Sequence, residues 1–157
     1  MIEYYNGDLL ESGCDIICHQ VNEYGIMGAG LALQVKEKFP NAYKRYKELC
    51  VKNEPYNLYG KIFYCDYFDE LNNDRMLANC FSQVNGETNY ELVKLIAKRL
   101  YCMAFDKGFK TIGIPYKYGC GIAKADWAKV EKIFKDEFEE SELRLQIWKK
   151  DNNNADI

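Results

Sequence analysis

The stretch DIICHQVNEYGIMGAGLALQ, Asp15 to Gln34, decides how the rest of the chain is read. It opens with Asp15 to Val21, a near-continuous apolar run of the kind that fills a strand buried on both faces. A loop follows, Glu23 to Gly28. Beyond it, Leu31, Leu33 and Val35, with Lys36 and Lys38 among them, start a helix over Gly30 to Phe39. A strand that turns through glycines into a helix is the building unit of a parallel sheet.

The same alternation extends in both directions. Met1 to Tyr5 reads as a strand. Pro40 breaks or restarts the helix, and Tyr43, Tyr46 and Leu49 mark a short second one. Leu58 to Cys65 and Arg75 to Phe81 are strand candidates separated by Asp69 to Asp74, whose Asn72, Asn73 and Asp74 form turns, so the pair is expected to be adjacent and antiparallel. Thr88 opens a capping box with Glu91, and Leu92, Leu95, Ile96, Leu100 and Met103 carry a helix to Gly108. Lys110 to Pro115 is a strand, Tyr116 to Ala123 a glycine-bearing loop, Asp126 to Phe138 an amphipathic helix and Leu143 to Trp148 a last strand. The expectation is an α/β fold with a mostly parallel sheet covered on both faces, as one domain over 1–149. A frayed tail over 150–157, containing Asn152 to Asn154, is expected after it.

Composition narrows the function classes. A chain of 157 residues suits one core, and a net charge of -3 gives no general reason to expect a polyanion partner, so nucleic acid is disfavoured. No basic segment precedes an apolar run at the start and no stretch is long enough to span a bilayer, which predicts a soluble, cytoplasmic protein without a membrane partner. Seven cysteines without CxxC pairs fit a reducing compartment. The one histidine, His19, lacks the companions a zinc site needs, and neither metal nor cofactor is expected.

Both glycine loops follow predicted strands and precede predicted helices, which puts them on the sheet edge where open α/β folds bind ligands. Glycines in Met27 to Gly30 let backbone amides approach a phosphate, and the helix start adds partial positive charge. The spacing is neither a Walker loop nor GxGxxG, and tight turns alone also explain such glycines. Gly119-Cys120-Gly121 would converge on the same place. His19 and Asn22 close the second strand, either as a sugar-binding and water-polarising pair or as a hydrogen-bonded strand end. Asp8 is a turn residue or a ligand acceptor, Asp126 a helix cap by default, and Trp148 a core aromatic or a base cover. Cys120 has no second histidine to activate it as a nucleophile.

Together these pieces resemble the macrodomain family over nearly the whole chain. The matching stretches are Gly7 to Leu10, Asp15 to Asn22, Gly25 to Gln34 and Ile114 to Ala123. The chain looks closest to the branch of yeast-type ADP-ribose 1''-phosphate phosphatases and their bacterial and phage relatives, in which a histidine stands three residues before the binding asparagine. The resemblance implies a three-layer α/β/α fold with a mixed, mostly parallel sheet, and ADP-ribose, a derivative of it or an ADP-ribosylated protein as partner. It implies that Asp8 accepts from the adenine amino group, Leu9 lines the base pocket and Trp148 lies near adenine. Asn22 would hold the distal ribose. Met27, Gly28, Ala29 and Gly30 would wrap that ribose and the diphosphate, with Gly119, Cys120, Gly121, Ile122 and Ala123 opposite. Relatives that remove ADP-ribose from glutamate or thymidine use a lysine where Gln83 stands, and some an aspartate where Ala123 stands. The resemblance therefore implies a hydrolase releasing the terminal phosphate of ADP-ribose 1''-phosphate, with His19 activating water and Asp126 assisting. The alternatives are a reader without turnover, or a hydrolase of O-acetyl-ADP-ribose and ADP-ribosyl esters.

Overall fold

A computed structural model describes residues 1–150. The tail expected over 150–157 therefore lies, apart from Lys150, outside the described residues. In chain order the elements are β1 (Ile2–Asn6), β2 (Ile16–Gln20), α1 (Gly30–Lys38), α2 (Pro40–Lys52), β3 (Ile62–Phe68), β4 (Asp74–Cys80), β5 (Gln83–Val84), β6 (Glu87–Thr88), α3 (Tyr90–Lys107), β7 (Thr111–Pro115), α4 (Trp127–Phe138) and β8 (Arg144–Lys149). Single 3-10 turns cover Leu9–Glu11 and Pro55–Asn57.

Six strands form one sheet in the order β1-β8-β7-β2-β4-β3. Every neighbour pair is parallel except β3 with β4, so the sheet is mixed and mostly parallel. The antiparallel pair is joined by a turn in which the Asp69 carboxylate accepts from the backbone N–H of Leu71 and Asn73. Period-two alternation sends Ile16 and Cys18 of β2 to one face of the sheet and Ile17 to the other. The first face packs on Val93, Ile96, Leu100 and Phe134 of α3 and α4. The second packs on Val35, Ala42 and Tyr46 of α1 and α2. With both faces covered, the result is three layers, α/β/α.

Two expectations shift. The strand read from Leu58 begins instead at Ile62, because Leu58 is buried at the end of the 3-10 turn and Gly60 donates its N–H to Phe81 O. The helix cap read at Thr88 is Asn89, whose side chain accepts from Leu92 N at 3.0 Å. Thr88 sits in the short β5–β6 hairpin, which sequence periodicity gave no sign of, and its hydroxyl is engaged elsewhere. No helix among the described residues is long and apolar enough to cross a membrane.

Candidate functional site

A cleft of about 520 Å³ opens at the carboxyl ends of β2, β7 and β8. This is the edge where the parallel strands deliver their connecting loops and where α/β sheets collect ligands. Of the residues singled out in the sequence, Asp8, Leu9, His19, Asn22, Met27, Gly28 and Ala29 line it from one side. Gly119, Gly121, Ile122 and Ala123 line it from the other, and Trp148 lines it at the Asp8 end. Gly30 and Cys120 stand just behind the lining as the first residue of α1 and a loop residue.

The first wall is organised by Asn22. Its Oδ1 accepts from Tyr24 N at 3.0 Å and Ile26 N at 3.3 Å, while its Nδ2 donates to Ile26 O at 2.7 Å. The Tyr46 hydroxyl, rising from α2, lies 2.7 Å from Asn22 O and 2.9 Å from its Oδ1. One Nδ2 hydrogen is left for a ligand. The turn so fixed presents Met27, Gly28 and Ala29, whose N–H groups have no partner among the described residues. The first turn of α1 follows without a side-chain cap and adds more free N–H groups and the positive end of its dipole.

The second wall rests on a relay of side chains that the sequence reading missed. The Tyr118 hydroxyl lies 2.7 Å from Ser82 Oγ, and Ser82 Oγ donates to Gln20 Oε1 at 2.5 Å. Gln20 Nε2 donates to Thr88 Oγ1 at 2.9 Å, and Thr88 Oγ1 donates to Gly119 O at 2.8 Å. Since Ser82 spends its hydrogen on Gln20, Tyr118 must be the donor to Ser82, and the whole relay runs one way. It starts and ends on adjacent residues of the same loop. Gly119 sits directly on it at φ +73°, and a Cβ there would come within 2.7 Å of Thr88 Oγ1. Above the relay the N–H groups of Gly119, Gly121, Ile122 and Ala123 have no partner among the described residues.

At one end of the cleft, Trp148 stacks on Tyr5 with ring centroids 4.9 Å apart and is held by donation from its Nε1 to Gln146 Oε1 at 2.9 Å. Gly7 leaves room for the indole, since a Cβ would come within 3.0 Å of that ring. Asp8 accepts from Leu10 N through Oδ1, and its Oδ2 lies 3.9 Å from Lys150 Nζ, which donates to Gln34 Oε1 on α1. Asp8 is thus both a cap and an acceptor with capacity to spare.

The floor at the other end contains His19, which is 2% exposed. Asn79 of β4, its neighbour in register, donates Nδ2 to Phe63 O, so its Oδ1 faces His19 Nε2 at 2.7 Å. The hydrogen therefore sits on Nε2, and Nδ1 is a bare, buried acceptor without a partner among the described residues. Burial pushes the imidazole pKa down to about 4, against the opposing effect of the Asn79 hydrogen bond. His19 is neutral at pH 7.

Besides Gly30, two expected site residues are not among those lining the cleft. Asp126 is not among the residues lining the cleft; its carboxylate caps α4 by accepting from Ala128 N at 3.0 Å, the role its position before a helix favours. Cys120 donates to Tyr118 O, and burial pushes its thiol up to about 11, with Lys117 opposing and Asp126 adding to the rise. No grouping of three or more His, Cys, Asp or Glu side chains suited to a metal occurs among the described residues.

These features define an α/β/α domain with a cleft walled by unpaired amides at the carboxyl edge of its sheet. The description Macro domain matches residues 18–134, and the chain belongs to that family. Among relatives, a protein of Thermus aquaticus named DNA ADP-ribosyl glycohydrolase is 27% identical over 150 residues, covering 94% of this chain and 40% of the relative. The chain thus spans well under half the length of that glycohydrolase. An ADP-ribose 1''-phosphate phosphatase of Lodderomyces elongisporus is 24% identical over 146 residues, covering 84% of this chain and 89% of the relative. The solved macrodomain of Mycobacterium tuberculosis DarG superposes with a TM-score of 0.81 at 24% identity, over 94% of this chain and 97% of that one.

Proposed function

We propose that the cleft binds ADP-ribose and its derivatives, and that the protein is a hydrolase releasing the terminal phosphate of ADP-ribose 1''-phosphate. The observation that carries the binding reading is the pair of facing amide rows, Met27 to Ala29 on one wall and Gly119, Gly121, Ile122 and Ala123 on the other, none of them bonded among the described residues. Converging N–H groups beside a helix start suit a diphosphate. The spare carboxylate oxygen of Asp8 suits an exocyclic amino group, and Trp148 offers an adjoining aromatic face. Asn22 and His19 then fall at the terminal ribose. This agrees with what relatives named for ADP-ribose derivatives are said to act on.

For turnover, the bare Nδ1 of His19 takes a proton from a water that attacks the 1''-phosphorus; the bond from phosphorus to the ribose oxygen breaks, and that oxygen stays on its carbon and receives the proton from His19 as inorganic phosphate is released. Free amides of both walls stabilise charge on the phosphoryl oxygens. Asp126, capping α4 outside the cleft, has no part in this step. Phosphate release from ADP-ribose 1''-phosphate by the wild type and by His19→Gln tests it, with calorimetry on ADP-ribose beside it. Loss of turnover with ADP-ribose affinity kept is expected; unchanged turnover removes the histidine from the mechanism.

A second reading is binding without turnover. Gln83 and Ala123 stand where, by the family resemblance, related glycohydrolases carry a lysine and an aspartate, and a histidine with its pKa near 4 is a weak base. Tight ADP-ribose binding with no product from the phosphate, from O-acetyl-ADP-ribose or from an ADP-ribosylated protein or DNA would establish it. The relatives' name brings ADP-ribosylated DNA into that panel although the net charge argues against a general nucleic-acid surface.

A further inference from the structure

Glu23, the residue after Asn22, is a buried carboxylate, 4% exposed, with no Lys or Arg in ion-pair contact among the described residues. An uncompensated buried charge is expensive, so a residue serving only to fill space there would be apolar. Its compensation comes from three donors: Asn85 N at 2.8 Å, Gly86 N at 3.1 Å and the Tyr59 hydroxyl at 3.0 Å. The two amides are the tip of the β5–β6 hairpin, where Asn85 and Gly86 both have positive φ, 52° and 77°. Gln83 and Gly86 of that hairpin line the cleft.

The hairpin is held at its base as well. Thr88 donates its N–H to Ala123 O at 3.0 Å and its hydroxyl to Gly119 O. It is therefore a strut from the loop beginning at Asn22 to the second wall, with a charge-assisted grip at one end and the relay at the other. Of its two ends, only the Glu23 grip is independent of the relay. The opposite end of the cleft, at Asp8 and Trp148, shares none of these bonds.

We infer that Glu23 is a positioning residue: by gripping the hairpin tip it sets Gln83 and Gly86 against the terminal ribose and whatever that ribose carries, and so controls which substituents the cleft accepts. The orientation of the ligand rests on the ADP-ribose reading above. A mutation at Glu23 should therefore act on the terminal ribose and its substituent while sparing the nucleoside end.

The test uses the full chain with Glu23→Gln, which keeps the size and turns one acceptor into a donor facing an amide, and the conservative Glu23→Asp. Calorimetry compares ADP-ribose with ADP, which lacks the terminal ribose, and hydrogen exchange follows the free proteins. Expected for Glu23→Gln is about a tenfold loss for ADP-ribose with ADP affinity changed by less than about twofold. Faster exchange over 83–88 without change in α3 should accompany it, and Glu23→Asp should recover part of both. An equal loss for both ligands, or unchanged exchange over the hairpin, would overturn the inference, the first marking a merely structural role. Should wild-type protein fail to bind ADP-ribose, the functional reading falls by itself. The exchange result then decides whether Glu23 holds the hairpin.

Discussion

The two walls of the cleft present the same chemical surface, a row of unspent amides, but they are held in different ways. The first is shaped from within by one side chain: Asn22 ties down Tyr24 and Ile26 in a turn that water reaches. The second is seated from beneath by Tyr118, Ser82, Gln20 and Thr88, a relay in which Ser82 and Tyr118 are buried. Where solvent can replace a lost bond, losing it costs shape more than stability. Where solvent cannot, the unpaired groups cost the desolvation penalty itself. The contrast predicts that damage to the second wall destabilises the whole domain, and damage to the first mainly weakens ligand binding.

The largest effect is expected at Gly119. Gly119→Val forces a branched side chain into a left-handed backbone against Thr88, and should cost about 2–4 kcal/mol in denaturant unfolding and abolish ADP-ribose binding. Next, Ser82→Ala leaves the buried Tyr118 hydroxyl without its acceptor and Gln20, at the cleft, without its donor, and should cost about 2 kcal/mol. Asn22→Ala should cost about 1 kcal/mol or less while reducing ADP-ribose affinity by about tenfold or more. Equal stability losses for Ser82→Ala and Asn22→Ala would break the contrast.

The floor between the walls has its own signature. His19 is the single histidine, with its ordinary pKa of 6.5 lowered to about 4 in the fold. As pH falls below 6.5 the unfolded chain takes up a proton that the folded chain refuses, so stability drops through this window and stops changing on this account below about 4. Roughly 2 kcal/mol should be lost between pH 7 and 5, and His19→Gln should flatten that slope in denaturant titrations at each pH. The smallest effect is expected for Lys150→Ala, which removes a partly exposed neighbour of Asp8 and should shift affinity for ADP-ribose by about twofold.

Much of the fold was legible because burial imposes a rhythm on β2, α3 and α4, and because parallel strands must be linked by helices. The hairpin at Gln83–Thr88 was not, since two-residue strands are too short for any period. Thr88 looked like a helix cap because Glu91 follows at capping-box spacing, yet Asn89 takes the cap and frees the Thr88 hydroxyl for Gly119. In the site, glycines and Asn22 stood out by residue type at a strand end. Gln20, Ser82 and Tyr118 did not: each is an ordinary polar residue whose meaning depends on neighbours far away in sequence. Glu23 was visible only as a loop charge until its burial and its three donors were known. Asp126, by contrast, kept the cap role that its position alone suggests.

The relay beneath the second wall also has a topological consequence. Because it leaves the loop at Tyr118 and returns at Gly119, lifting that loop breaks both ends together, so it has a seated state and an unseated one with little between. The loop governed by Asn22 carries no such ring, and Ile26 at its crest is 60% exposed. Breathing of the cleft, and with it the admission and release of ligand, should therefore fall to the Asn22 side, leaving the opposite wall as the fixed jaw.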